Sequence, residues 1–335
     1  MAKIMIFNHA ASSGGALTIL KMYHQRAMED MTNEYIFVVS TVELKECENV
    51  RVLAFPKTKK SWLHRWFFDK CRCKKLVKKH MPDSIISLQN VLIKSPKGIF
   101  QEVYIHQSLP FVAHKFKLLG HPRLWVYQNI IGRMIKKAAR RADKITVQTQ
   151  WMKKAVLQQS GANESKFVVD TPVFATEFFK YDENSPIQFF YPAAAEFYKN
   201  HTVILQALKI LKEEGLLPKV IFTLDGTENK LSARLKDICD KEGLNVEFTG
   251  SLTHGDVLAM YSKSILLFPS FVESLPLPLI EAKNSNCSII CSDQPFSREV
   301  CNDYDRTVYF AHDDSNTLAS EMKFLLKRKC KEIKI

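Results

Sequence analysis

The chain has 335 residues, 46% of them hydrophobic and 25% charged, with a formal net charge of +13. That length lets two domains of ordinary size each bury a core, and no apolar run approaches the ~20 residues of a membrane-spanning helix. The longest candidate, Ser264 to Ile280, is interrupted by Pro269, Glu273, Pro276 and Pro278.

The N-terminal Met-Ala-Lys-Ile-Met-Ile-Phe runs straight into strand pattern, without the features of a signal peptide. Eight cysteines lie scattered without framework spacing. Cys71 and Cys73 are the only tight pair and no second pair answers it, so reduced thiols of a cytosolic protein are expected and no metal ligands. The charge is uneven: residues 1–170 carry 29 Lys/Arg against 12 Asp/Glu, residues 171–335 carry 19 against 23. Such a split suggests two domains with different partners, the first meeting something anionic.

In chain order, strand pattern falls at 3–8, 35–40, 84–88, 103–106, 144–149 and 166–169, with helical stretches near 15–29, 61–80, 122–142 and 150–160. A Pro-containing, turn-rich linker follows Asp170 and runs to Pro186. A second series then places strands at 187–192, 219–224, 245–249, 265–268, 288–292 and 307–310, with helices between them and a terminal helix near 315–331. Strands alternating with helices argue a parallel sheet covered on both faces. Two consecutive series argue two doubly wound domains, with chemistry at the turns beyond the carboxyl ends of the strands.

The strongest local signal runs from Phe268 through Glu273, Ser274 and Leu277 to Glu281 and Ala282. A buried strand at 265–268 leads into a turn, and a helix opens near Pro278, where proline suits the first turn, with Glu281 in that turn. Unpaired N–H groups and the positive dipole end there suit a diphosphate, and two flanking carboxylates can each accept from paired sugar hydroxyls. Spacing alone favours two glutamates merely solvated near a helix start.

The wording resembles the E-x7-E signature of retaining GT-B glycosyltransferases of the family 4-like, bacterial surface-polysaccharide type, and continues into Ser292-Asp293 and Arg298-Glu299-Val300. The resemblance implies two Rossmann-like domains facing a central cleft, with residues 1–170 binding acceptor, 171–314 binding the nucleotide sugar, and the helix 315–335 packing back on the first domain. It gives Glu281 the donor ribose and places Glu273 by the donor sugar and phosphates, with Ser274 and Leu277 in the same donor-binding turn.

Two further stretches extend the resemblance. Phe190 to His201 resembles the family's arginine-and-lysine diphosphate clamp; Lys199 matches the lysine and opens the next helix, while the arginine position is Ala193. Gly14 and Gly15, in the turn after the first strand, resemble the family's glycine loop, since adjacent glycines let a backbone approach phosphate; any βα turn can use such a pair. His106, at the carboxyl end of its strand, resembles the family's N-domain histidine near the donor sugar, although a lone histidine is more often structural. Departures are Pro276, where the family has glycine and a backbone N–H is lost, and Asn286, which tolerates the left-handed C-cap. Asp303-Tyr-Asp305 reads as a solvated turn.

The function implied is transfer of a hexose, with retention, from a UDP- or GDP-type donor to a saccharide acceptor, lipid-linked and belonging to surface polysaccharide, capsule or lipopolysaccharide synthesis, with no cofactor. The rival reading is a saccharide-binding or scaffold relative without transferase activity. Residues 57–80 hold ten Lys/Arg and one acid among Trp62, Trp66, Phe67 and Phe68, and Arg133 to Lys144 repeat basic residues at helical steps. These read either as a solvated face or as a patch for an anionic membrane surface, which would place the protein peripherally on the inner face of the plasma membrane; no motif supports nucleic acid.

Overall fold

The structure, a computed structural model, describes residues 1–10, 14–172 and 178–332, with the side chains of Trp62 and of 328–332 outside the description. The chain divides into two compact units, Met1–Phe174 and Ala175–Ile335.

The first unit runs β1 (Lys3–Asn8), α1 (Gly14–Glu29), β2 (Glu34–Val39), β3 (Val50–Ala54), α2 (Trp62–Phe67), α3 (Cys73–His80), β4 (Ser84–Ser87), β5 (Phe100–Ile105), α4 (Pro122–Val126), α5 (Gly132–Arg141), β6 (Lys144–Val147), α6 (Gln150–Ser160) and β7 (Phe167–Val169). Its strands form one parallel sheet in the order β3-β2-β1-β4-β5-β6-β7. The period of two along β1 explains how both faces are covered. Met5 and Phe7 pack with Phe68, Cys73 and Val77, while Ile6 packs with Ile19, Leu20 and Ala27 of α1.

The structure departs from the sequence pattern in several places here. β3 is an additional edge strand. The stretches 62–80 and 122–141 are continuous helices, each widened by a π turn, at Phe68–Arg72 and at Tyr127–Ile131. Lys144 does not extend the basic helix face: it opens β6, and its Nζ sits 3.0 Å from the Glu102 carboxylate. Phe68 is a core residue, 4% exposed; Trp66 and Phe67 are exposed, and the side chain of Trp62 lies outside the described residues.

The second unit runs β8 (Gln188–Tyr191), α7 (His201–Glu213), β9 (Lys219–Phe222), α8 (Lys230–Glu242), β10 (Val246–Phe248), α9 (His254–Tyr261), β11 (Ile265–Phe268), α10 (Leu277–Asn284), β12 (Ile289–Ser292), α11 (Pro295–Cys301), β13 (Thr307–Phe310) and α12 (Ser315–Glu332). The parallel order is β10-β9-β8-β11-β12-β13. Connections run outward in both directions from the β8–β11 pair, so the loops leaving those two strands diverge and a crevice opens at their carboxyl ends. α12 lies against α7, with Leu318, Ala319 and Met322 buried. Asn286 adopts the left-handed backbone, φ 59°, that ends α10.

The first residue of α7, His201, is buried between the rings of Tyr191 and Phe222, whose centroids lie 4.7 and 5.0 Å away. Burial, with Lys199 a smaller contributor, lowers its pKa to about 3. A histidine held neutral in the fold takes up a proton on unfolding below its ordinary value of about 6.5, so stability falls as pH drops through that value. Denaturant unfolding is expected to lose about 2 kcal/mol between pH 7 and pH 5 through this residue. The His201→Phe variant should lose correspondingly less over the same interval; an identical loss in both would show that His201 does not carry it.

Candidate functional site

Beyond the carboxyl ends of β8, β9 and β10 the second unit holds a cavity of about 530 Å³. Its wall is built from Pro192–Glu196 after β8, Thr223, Leu224, Glu228 and Asn229 after β9, Ser251 and Leu252 after β10, Val257 and Tyr261 of α9, and Leu277, Pro278 and Glu281 of α10. The turn after β9 is tight: Gly226 has φ +93°, and a Cβ there would meet the Lys236 side chain at 2.5 Å. Asn229 caps α8 and donates through Nδ2 to the Ala195 carbonyl at 2.9 Å, tying two of the wall segments together.

Glu281 is the fifth residue of α10, one residue further in than the sequence pattern places it, because the helix opens at Leu277. Its carboxylate is engaged on both oxygens: Oε1 lies 2.9 Å from His254 Nε2, and Oε2 accepts from the Tyr261 hydroxyl at 3.1 Å. Tyr261 is buried, which holds its hydroxyl protonated far above the usual range, so it can only donate to the carboxylate. The Glu281 side chain is 15% exposed. Pro276 precedes α10, and Pro278 occupies its second position, where the missing N–H leaves no helical hydrogen bond unmade.

Glu273 and Lys199 meet as an ion pair, Nζ to Oε1 2.5 Å, with side-chain exposures of 13% and 20%. The Ser270 hydroxyl donates to the same Oε1 at 2.7 Å, and the Tyr191 hydroxyl donates to the Lys199 carbonyl at 2.6 Å. Lys199 does not open α7; it lies in a short 3₁₀ turn, Phe197–Lys199, ahead of it. Asn200, with φ 60°, turns the chain between the two. The pair thus bridges the loops leaving β8 and β11, the two strands at which the connections diverge.

Ser274 lies in the turn after β11, and Leu277, placed in that turn by the sequence reading, is the first residue of α10 and lines the cavity. Ala193, at the position of the family's arginine, lines it too and is 8% exposed. Among the described lining residues there are three carboxylates, Glu196, Glu228 and Glu281, and no lysine or arginine. Sequence reasoning missed Glu228, Asn229, His254 and Tyr261. The Asp225-Gly-Thr-Glu turn directly after a strand was the one available signal, because a cavity at strand ends must use such turns.

The remaining candidates belong to the first unit. Gly14, with φ +62°, and Gly15 open α1 after β1; residues 11–13 of that turn lie outside the described residues. Gly14 needs its backbone freedom, since a side chain in that conformation is strained. His106 directly follows β5. Its backbone N–H and that of Gln107 donate to Asn90 Oδ1 at 2.8 and 2.9 Å, and Asn90 Nδ2 donates to its Nε2 at 3.4 Å. Burial lowers the His106 pKa to about 4, which keeps the ring neutral near pH 7. The Asp303 turn is exposed, and its carboxylate pairs with Lys283 at 2.5 Å.

Removing one partner of a part-buried ion pair leaves the other desolvated and unpaired. Lys199→Met is therefore expected to cost about 2 kcal/mol of unfolding free energy. Adding Glu273→Gln should recover about half of it, a coupling that a double-mutant cycle measures directly. Strictly additive losses would show that the pair makes no net contribution.

Three comparisons place this geometry among known proteins. Residues 173–334 match the family model described as glycosyl transferases group 1. A capsular polysaccharide biosynthesis glycosyltransferase, CapH of Staphylococcus aureus, is 29% identical over 153 residues, 45% of this chain and 42% of that protein, so the match spans about two fifths of the relative's length. Among solved structures, sucrose-phosphate synthase of Thermosynechococcus elongatus superposes with a TM-score of 0.73 at 14% identity, covering 98% of this chain and 91% of the other. The HepE protein of Anabaena in complex with UDP-glucose does so with a TM-score of 0.69 at 14% identity and the same coverage. The second unit thus carries the glycosyl transferases group 1 pattern, and the chain as a whole has the two-sheet fold of the GT-B glycosyltransferases.

Proposed function

We propose that the protein is a retaining glycosyltransferase that moves a hexose from a nucleoside diphosphate sugar to a saccharide acceptor in surface polysaccharide synthesis. The observation that carries this reading is the placing of Glu281 in the wall of a cavity at the strand ends, beside the start of α10. The Lys199–Glu273 pair stands where the connections diverge. Glu281 receives the ribose hydroxyls, exchanging the exposed His254 contact for them while Tyr261 holds the carboxylate in place. Lys199 turns from Glu273 to the diphosphate and offsets the charge that develops on it as the leaving group departs. Glu273, released from the lysine, accepts from hydroxyls of the transferred sugar. The neutral His106 and the Gly14–Gly15 turn are assigned to the sugar and acceptor side.

The printed names of the relatives support the substrate class. One acts in capsular polysaccharide biosynthesis, and HepE holds UDP-glucose, so a UDP-type donor is the first to try. Ala193 supports the rival reading of a sugar-nucleotide binder without transfer, because it leaves the cavity wall without a cation. Incubation with UDP-glucose and a saccharide acceptor separates the two: transfer supports the enzyme, and binding without transfer or hydrolysis across a donor panel supports the rival.

Glu281→Ala removes charge-assisted hydrogen bonds worth about 1.5–3 kcal/mol each. Calorimetry should show UDP affinity falling at least tenfold in a variant that stays folded, with a lowered thermal midpoint because the buried Tyr261 hydroxyl loses its partner. Unchanged affinity would sink the ribose role.

The acceptor is proposed to be lipid-linked, reached from an anionic membrane surface on the inner face of the plasma membrane. Among the described residues no helix is long and apolar enough to cross a membrane. Leu63, Trp66 and Phe67 of α2 are each more than half exposed, next to a groove lined by Phe67, Arg72, Lys75, Leu76 and Lys79. Each basic residue near such a surface contributes about 1 kcal/mol, screened by salt. Co-sedimentation with vesicles should be strong with anionic lipid, reversed by salt, and lost when Lys74, Lys75, Lys78 and Lys79 are neutralised. Equal binding to neutral vesicles, or none to either, would leave these lysines as a solvated face.

A further inference from the structure

We propose that His9, Asp69 and Cys73 form a site for a divalent transition-metal ion of the zinc class, which staples the helical segment 62–80 to the end of β1. The inference is independent of the donor reading, since all three residues belong to the first unit and none lines the cavity of the second. His9 is the first residue after β1, and its side chain is fully buried. Asp69 lies in the π turn and Cys73 opens α3, so the two share one helix face at a spacing of four. Their three ligand atoms all lie within 4.8 Å of one another, and His9 Nε2 is 2.7 Å from Asp69 Oδ1.

Ligands of a tetrahedral zinc ion, about 2.0–2.3 Å from the metal, stand roughly 3.3–3.7 Å apart. The cluster reaches that spacing by side-chain movement of about an ångström, the ion taking the place of the proton between Nε2 and Oδ1. One imidazole nitrogen, one carboxylate oxygen and one sulfur make a borderline-soft set that suits zinc or cobalt and does not suit magnesium or calcium. The Phe68 ring, 4.6 Å from that of His9, and the Phe7 ring, 6.4 Å away, give the buried side an apolar wall. Asp69 is 41% exposed and leaves a path for the ion and a fourth position for water. Because His9 and Asp69 are 60 positions apart, the ion closes a long loop and adds to stability by binding only the fold. Cys71, one turn position away, is exposed and outside the cluster.

The test uses the full chain with Cys47, Cys71 and Cys330 replaced by serine, stripped of metal and titrated with Co²⁺, then Zn²⁺. A thiolate-to-cobalt charge-transfer band should saturate at one equivalent, vanish on Zn²⁺ addition, and be absent after Cys73→Ser. Zn²⁺ should raise the thermal midpoint by several degrees, and Asp69→Asn, at a part-exposed position that tolerates the change, should weaken that response at least tenfold in Zn²⁺ concentration. No band at one equivalent, a band surviving Cys73→Ser, or an Asp69→Asn response equal to that of the parent would each overturn the site.

Discussion

The second unit is organised around one contact, the ion pair of Lys199 with Glu273. Connections leave β8 and β11 in opposite directions, so the loops that follow these strands have no secondary-structure hydrogen bonds to hold them together. Individual contacts across the two loops, mostly through side chains, do that work. Lys199 reaches from the β8 loop to Glu273 on the β11 loop, Ser270 donates its hydroxyl proton to the same carboxylate oxygen, and the Phe271 backbone N–H donates to the Tyr198 carbonyl. Underneath, the buried Tyr191 hydroxyl fixes the Lys199 backbone. The same contact that shapes the crevice therefore also keeps the Lys199 cation compensated.

That arrangement bears on the cavity's charge. With Ala193 where the resembling family carries arginine, the described wall offers carboxylates and backbone but no cation. On the proposed reading, a diphosphate there would draw on Lys199 and on the amides at the start of α10, at the cost of separating Lys199 from Glu273. If Glu281 receives a ribose as proposed, its exchange would be the milder one, because His254 is largely exposed and the Tyr261 hydroxyl bond lies on a buried residue.

Much of the fold was legible because buried parallel strands advertise themselves as short apolar runs: β8, β9, β11 and β12 coincide with such runs, Ile265–Phe268 and Ile289–Ser292 being buried at every residue, while the edge strands β10 and β13 are only partly buried. β3 was not legible, because it is an edge strand with Val50 alone fully buried and Arg51 exposed, which is loop composition as much as strand. The π turns leave no pattern distinct from helix. At the site, Glu273, Glu281 and Lys199 were found by wording, but their partners were not: Ser270, Tyr261 and His254 have ordinary spacing and acquire meaning only when β11, α9 and α10 are packed. His9, Asp69 and Cys73 illustrate the same limit, since 60 residues separate the histidine from the aspartate that its ring meets.

The central claim is that the cavity bounded by the β8 loop, the β9 turn and the start of α10 receives a nucleoside diphosphate. Hydrogen exchange of the full chain with and without UDP tests it without presuming any activity. The account predicts slowed amide exchange in segments 192–199, 223–229 and 275–281, where the wall's backbone groups would be engaged. Binding accompanied by unchanged exchange in all three segments would contradict it.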